Sequence, residues 1–395
     1  MSMDRGKRYR RIGSVLILPV LLLLGGCWDR IETNDIAFVL ISSVDLEDDG
    51  QVRVSYLVPL PGQLGGSSGG GGGTSGTQSY YIDSDVGPTY LKATAKVQNR
   101  MSRKLILSHR RTLVIGEAMA RRGISDLFDA VPRAPESRLT TYLVVAKGKG
   151  YDLLNTNPRF ERFPAEAIRE LTKGPRTMPQ STKDVAMALT FRSDPIMTYL
   201  EPVSSQIGLK KSTEVQFTGY AQFLHDRMIG VYREEEADGL MWLSNNTKQF
   251  LLDFPLKPGQ DISVQITEGR TSIKPVVKDG QVSFNVEVEA VGIVREDESQ
   301  QDLNEPKLLH KVEDKLAEQI KKSVQATLKQ MQAKGTDSAH LGMIVWHKYP
   351  ALWKQELEPR WRELFSQAEV HIKVRASISE TGLINQNVTK DGDSN

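Results

Sequence analysis

Hydrophobic and polar positions mark out strands first, then a mixture, then strands again with one long helix. Residues 36–44 (IAFVLISSV) and 52–60 (VRVSYLVPL) are β-rich runs around a turn-forming DLEDDGQ, and together they predict a hairpin. A strand resumes at 80–83 and a helix follows over 89–100. Short strands at 104–107 and 112–115 then flank Ser108-His109-Arg110-Arg111. Ile124, Leu127, Phe128 and Val131 recur at helical spacing, and TTYLVVA at 140–146 reads as a further strand. Strands interleaved with helices imply a mixed α/β first domain. Residues 151–212 are Pro-rich. Helices are expected there over 164–171 and 181–190, the second behind a Ser/Thr cap with Asp184 in its first turn.

From 213 onward the pattern turns to strands, at 215–224 and 228–232 around His225-Asp226-Arg227, then at 261–267, 271–277 and 282–290. In the last of these, Phe284, Val286 and Val288 alternate with Asn285, Glu287 and Glu289, as on a half-buried sheet. Residues 305–334 predict the clearest helix. Leu309, Val312, Leu316, Ile320, Val324, Leu328 and Met331 form one apolar stripe, and Gly335 stands where a C-terminal cap belongs. The stripe steps nearer four than three and a half, which favours packing across a sheet over a coiled coil. Further helices are expected over 337–346, from Pro350, and again from Pro359. A final strand at 369–379 alternates Val370, Ile372, Val374, Ala376 and Ile378 with His371, Lys373, Arg375 and Ser377.

The fold class is therefore α+β, a mixed multi-domain chain. It has an N-terminal α/β domain (27–200), a β-rich middle region (210–300) and a C-terminal domain (301–382) with the long helix packed on a sheet. The strands of 213–290 and 369–379 are free to share one sheet, which leaves the second boundary open. Residues 383–395, polar and acid-rich, predict a disordered tail.

The first 26 residues form a separate unit. A basic start (MSMDRGKRYRR) is followed by an apolar run over 12–24, then Gly25-Gly26, then Cys27. The run is shorter than the ~20 residues of a spanning helix, and Pro19 interrupts it. Leu24, Gly25 and Gly26 before the chain's single cysteine describe a lipoprotein signal, cut between Gly26 and Cys27. Cys27 would then carry an S-diacylglycerol and an N-acyl chain of the palmitate class. Each buried CH₂ contributes ~0.8 kcal/mol, and two chains suffice for stable anchoring. The competing readings are a short anchor that stays attached, or an ordinary signal peptide with Cys27 incidental. A single cysteine also excludes an internal disulfide and a cysteine metal cluster.

The formal charge of +2 comes from the leader, where Arg5, Lys7, Arg8, Arg10 and Arg11 face only Asp4. The remainder is slightly acidic, which argues against nucleic acid as a partner. The Gly-rich stretch 62–79 lacks the Gly-Lys-Ser/Thr and helix start of a phosphate loop, so it reads as a flexible connection. Histidines at 109, 225, 310, 340, 347 and 371 form no metal-ligand pair at three or four residues' spacing. His340 and His347 lie seven apart on one predicted helix, on roughly the same face, where histidines are more often surface or boundary residues than ligands. Glu234-Glu235-Glu236 reads as a solvated acidic corner, and no GxSxG is present. Neither catalytic nor metal-binding residues are assigned, and no cofactor. Trp346, Trp353 and Trp361 share helical spacing with leucines, which favours core packing over a partner-facing patch.

The run GGCWDRIETNDIAFV resembles the opening of the C-subunit lipoproteins of spore germinant receptors, the Ger(x)C family, through Cys27, Trp28, Asp29, Arg30 and Glu32. Residues 102–124 are similar to a second family signature, centred on Arg103-Lys104, Ser108-His109 and Ile115-Gly116-Glu117. VVAKG at 144–148 is similar to a third. Asp337, Gly342, Tyr349-Pro350, Trp353 and Trp361 resemble a fourth. The chain departs from the family at 62–79 and in having Val86-Gly87-Pro88-Thr89 before the first helix. The resemblance implies a non-enzymatic, three-domain receptor subunit on the outer face of the spore inner membrane. Its partners would be integral-membrane A-type and B-type subunits, and the complex would answer nutrients. Only Cys27 carries over as a site of defined chemistry. The alternative is a lipid-anchored solute-binding protein of the cell envelope, which should show two similar lobes around a cleft.

Overall fold

The computed structural model describes residues 32–60, 79–133, 137–191, 193–205, 211–247, 249–298, 303 and 305–382. Cys27 and the leader, the Gly-rich stretch apart from Ser79, and the tail at 383–395 lie outside the described residues. The hairpin expected near the start is present as β2 (Ile41–Leu46) and β3 (Val52–Pro59). The predicted strand 36–44 divides, however. Its first part, β1 (Ile36–Phe38), pairs in parallel with β5 (Lys104–Ile106) in a separate two-stranded sheet. The division falls where the chain changes partner. Val39 N–H donates to the Ile106 carbonyl and Leu40 N–H to that of Leu57.

Eight strands form the first large sheet. With β4 (Tyr80–Gly87), β6 (Thr112–Gly116), β7 (Tyr142–Ala146), β8 (Ile196–Ser204), β9 (Thr213–Leu224) and β10 (Arg227–Tyr232), the order is β10-β9-β8-β7-β6-β2-β3-β4. The central β2, β6, β7 and β8 run parallel, and an antiparallel pair closes each side. Parallel strands are covered on both faces, so they read as unbroken apolar runs. Leu113 and Ile115 of β6 join one core cluster while Val114 joins the other. The first cluster is completed from α1 (Tyr90–Gln98), α2 (Glu117–Arg122), α3 (Ser125–Arg133) and α6 (Thr182–Thr190). The second is completed from α4 (Gly150–Leu154) and α5 (Pro164–Thr172). The expected cap of α6 is a full capping box between Ser181 and Asp184.

Within this sheet, strand membership differs from the sequence reading at two places. β8 sits inside the Pro-rich stretch, where no strand was expected. Beyond Leu200 it no longer pairs with β7, so Pro202 lies where one flank is open. And β9 and β10 extend this first sheet rather than joining the β-rich strands after them. The chain leaves the sheet through α7 (Glu234–Leu243), whose first turn is Glu234-Glu235-Glu236. Those carboxylates stand at the positive end of a helix, with Glu234 exposed and Glu235 and Glu236 partly so, and Glu235 pairs with Lys322 at 2.8 Å.

The second sheet has the order β11-β12-β13-β14, from β11 (Phe250–Lys257), β12 (Gln260–Lys278), β13 (Gln281–Asp297) and β14 (Glu369–Glu380). The stretches 261–267 and 271–277 belong to one long strand. Its register shifts between Ile266 and Glu268, at a bulge that breaks the alternation. α8 (Pro306–Lys334) runs roughly 44 Å and buries Val312, Leu316, Ile320, Val324, Leu328 and Met331 as the stripe predicts, with Leu308 in place of Leu309. Gly335 caps it in the left-handed region. Gly239 of α7 faces this helix so closely that a Cβ would collide with the Ser323 carbonyl.

A polar latch joins the two bodies. Asp194, just before β8, is 1% exposed. Its Oδ1 accepts from His225 N–H and Arg362 Nη2, both at 2.8 Å, and its Oδ2 from Asp337 N–H at 2.7 Å and Arg362 Nη1 at 3.0 Å. Arg362 belongs to α10 (Trp361–Ser366) and also donates to the Gly335 carbonyl. Around the latch, Gln222 donates to Thr336 and Tyr232 to Ser338, while Ile196, Tyr220 and Tyr232 of the first sheet join the apolar core of the second body.

Two stability predictions follow from this packing. Asp194→Ala leaves the buried Asp337 amide without its acceptor and removes the partner of Arg362, which is 34% exposed, and should lower stability by about 1–3 kcal/mol, read as a drop in the urea midpoint. Ile320→Ala, at a fully buried position of α8, should lower it by about 2–5 kcal/mol in the same measurement. An unchanged midpoint in either variant would contradict the packing described.

Candidate junction pocket

Past the latch the chain does not go straight into a helix. Asp337 is buried, and its carboxylate accepts from Leu341 N–H and Gly342 N–H at 2.7 Å each and from the Trp361 indole N–H at 3.0 Å. The helix expected over 337–346 therefore starts later, as α9 (Leu341–Lys348), with Asp337 holding its first amides. Burial pushes the Asp337 carboxyl up from its ordinary range, against the Gly342 amide, the nearby His340, the Leu341 amide and the Trp361 indole, which favour the anion. His340 stands at the N-cap with φ of 57° and its Nδ1 meets the Ser193 hydroxyl. His347 lies inside α9 beside Trp346, so the two histidines do not share a helix face as their spacing suggested.

Pro350 opens a short helical turn as expected (Pro350–Leu352). A π turn (Trp353–Leu357) and a 3-10 turn (Glu358–Arg360) then lead into α10. π turns are rare and occur often at functional sites. Here the turn sets Trp353 against Trp361 with ring centroids 5.1 Å apart, and Trp361 packs on to Phe365 at 5.8 Å. Gly342 makes this approach possible, since a Cβ there would stand 2.8 Å from both indoles. Trp361 belongs to the core, whereas Trp346 and Trp353 are half-buried. Phe191, 43% exposed, follows the end of α6 and meets Trp346 at 5.7 Å.

These rings line a half-open pocket of about 180 Å³ between the two bodies. Its walls are Phe191, Met343, Trp346, Trp353 and Trp361. Asp337, Ser193 and Thr190 supply polar surface, and Lys354 and Glu358 complete the lining. The sequence reading grouped Asp337, Gly342, Trp353 and Trp361 by resemblance, and the structure shows why they occur together. It did not find Ser193, Asp194 or Phe191, which no local pattern marks.

The other singled-out residues have structural surroundings. The second and third signature blocks meet at the ends of β6 and β7, where Glu117 N–H donates to the Gly148 carbonyl and its carboxylate accepts from Tyr199 and Arg121. His109 packs edge-on against Phe38, His310 pairs with Glu313, and His371 is exposed on β14. Among the described residues no group of three His, Cys, Asp or Glu side chains is arranged to hold a metal ion.

Comparison with known proteins agrees along the chain. Residues 29–202 match the model described as spore germination protein N-terminal domain, and residues 218–382 the model described as spore germination B3/GerAC like, C-terminal. The putative spore germination protein YfkR of Bacillus subtilis (strain 168) is 35% identical over 381 residues, covering 95% of this chain and 98% of the relative. The spore germination protein KC of the same organism is 25% identical, covering 94% and 96%. The crystal structure of the GerBC protein superposes with a TM-score of 0.56 at 18% identity, over 86% of this chain and 96% of that one, a likeness of fold. With both halves matched and a relative aligned nearly end to end, the chain belongs to the GerAC-like, or Ger(x)C, family of spore germination proteins.

Proposed function

We propose that this chain is a non-enzymatic, lipid-anchored subunit of a nutrient germinant receptor and is required for spore germination. Cys27 holds it at the outer face of the spore inner membrane, beside integral-membrane A-type and B-type subunits. The observation that carries the reading is relatedness over 95% of the chain to a putative spore germination protein, together with a Cys-Trp-Asp-Arg run directly behind a lipoprotein signal. No described helix is long and apolar enough to cross a membrane, which accords with attachment through acyl chains. The two bodies are unlike each other, one an eight-stranded mixed sheet and the other four strands under one helix. That counts against a solute-binding protein with two matched lobes.

The test uses spores of a strain lacking sister receptors, carrying the wild-type chain, a deletion, or Cys27→Ala. Germination is followed as loss of optical density on a panel of single nutrients. The deletion should abolish the response to one nutrient class, and Cys27→Ala should slow it roughly tenfold or more, since the variant keeps none of the acyl chains that anchoring needs. Normal germination of both strains on every nutrient would end the receptor reading. A normal response from Cys27→Ala alone would end the claim that the anchor is needed.

A further inference from the structure

The junction cavity is not a packing defect of ordinary kind. A dry apolar cavity of about 150 Å³ lined by Leu, Ile and Phe accepts a benzene-sized molecule, and this cavity, at about 180 Å³, is of that size. Its lining is different. Four aromatic side chains (Phe191, Trp346, Trp353 and Trp361) share it with the buried carboxylate residue Asp337. Aromatic faces carry negative potential and attract cations, more so when water is excluded.

The hydrogen-bond inventory narrows the kind of cation. A carboxylate offers about four lone-pair positions, and Leu341, Gly342 and Trp361 already donate to three of those on Asp337. A primary ammonium brings three N–H donors that each need an acceptor, and the four rings offer none. A quaternary ammonium brings none. It needs only charge and polarisable surface, which is what the aromatic walls and the Asp337 carboxylate supply. Lys354, exposed and part of the lining, adds a positive group that an anionic end of the ligand would meet.

We infer that the junction pocket formed by Phe191, Trp346, Trp353, Trp361 and Asp337 binds a small quaternary ammonium compound of the betaine type. Its trimethylammonium head sits among the rings and its carboxylate turns toward Lys354. Such a ligand touches α6 of the first body and α9 of the second at once, so it fastens the junction beside the latch. The inference does not rest on the receptor reading, because its test reads binding to the purified chain.

The experiment titrates the full chain, in a maltoside detergent, with glycine betaine while following tryptophan fluorescence. 3,3-Dimethylbutanoate serves as the comparison ligand, having the same shape with carbon in place of the charged nitrogen. Glycine betaine should give saturable quenching, and 3,3-dimethylbutanoate should bind roughly tenfold more weakly or worse. Trp346→Leu should weaken betaine binding by roughly tenfold, and Phe191→Leu, at an exposed position, provides the same reading should Trp346→Leu fail to fold. Equal binding of the two ligands would show that the cavity answers to shape and apolarity alone, and would overturn the assignment. So would the absence of saturable betaine binding, or betaine binding unchanged in both folded variants.

Discussion

A carboxylate shut away from water must have its charge answered nearby, and Asp194 is answered by groups from three distant parts of the chain. His225 comes from the turn between β9 and β10, Asp337 from beyond α8, and Arg362 from α10. Burying such a group is expensive unless every lone pair is used, so the arrangement is close to all or nothing. The two sheets cannot shift relative to each other without leaving Asp194 or the Asp337 amide unpaired. The placement of α9, and with it the indole walls of the pocket, follows from this one carboxylate.

Asp337 continues the same logic one step further. Its amide serves Asp194 and its carboxylate serves α9 and Trp361. A single residue thus couples the joint between bodies to the floor of the cavity. Gly342 and the π turn at 353–357 then let two indoles approach where an ordinary helix would have kept them apart. The family relationship covers both halves of the chain, and the joint between those halves is where its C-terminal signature residues gather.

The elements most legible in the sequence were those whose periodicity is local. The α8 stripe, the Gly335 cap, the Ser181–Asp184 box and the alternation of β14 all follow from side chains a few residues apart. Other elements were hidden by neighbours that carried the wrong signal. β8 follows Pro195 and contains Pro202, two residues that suggest a linker, although its first five residues are buried. β11 alternates Phe250, Leu252, Phe254 and Leu256 inward, but Leu251 and Pro255 on the other face blur the pattern. The latch could not be read at all, since Asp194 and Arg362 are 168 residues apart and neither stands in a motif. The aromatic pocket was half visible. The three tryptophans were noticed, and core packing holds for Trp361 and, at the edge of the core, for Trp353, while the pocket that all three line is not revealed by spacing alone.

β14 pairs in parallel with β13, and everything from α8 to α10 lies between them in the chain. A parallel neighbour of this kind forms only after a large loop has closed, which makes it slow compared with hairpin pairing. The second sheet therefore has no finished form while the chain is still being made. β11, β12 and β13 can zip as a meander, but one flank of β13 stays open until the final strand has emerged. That flank is a long, alternating edge of the kind that recruits foreign strands. Its protection during biogenesis rests on how quickly the last stretch of the polypeptide arrives.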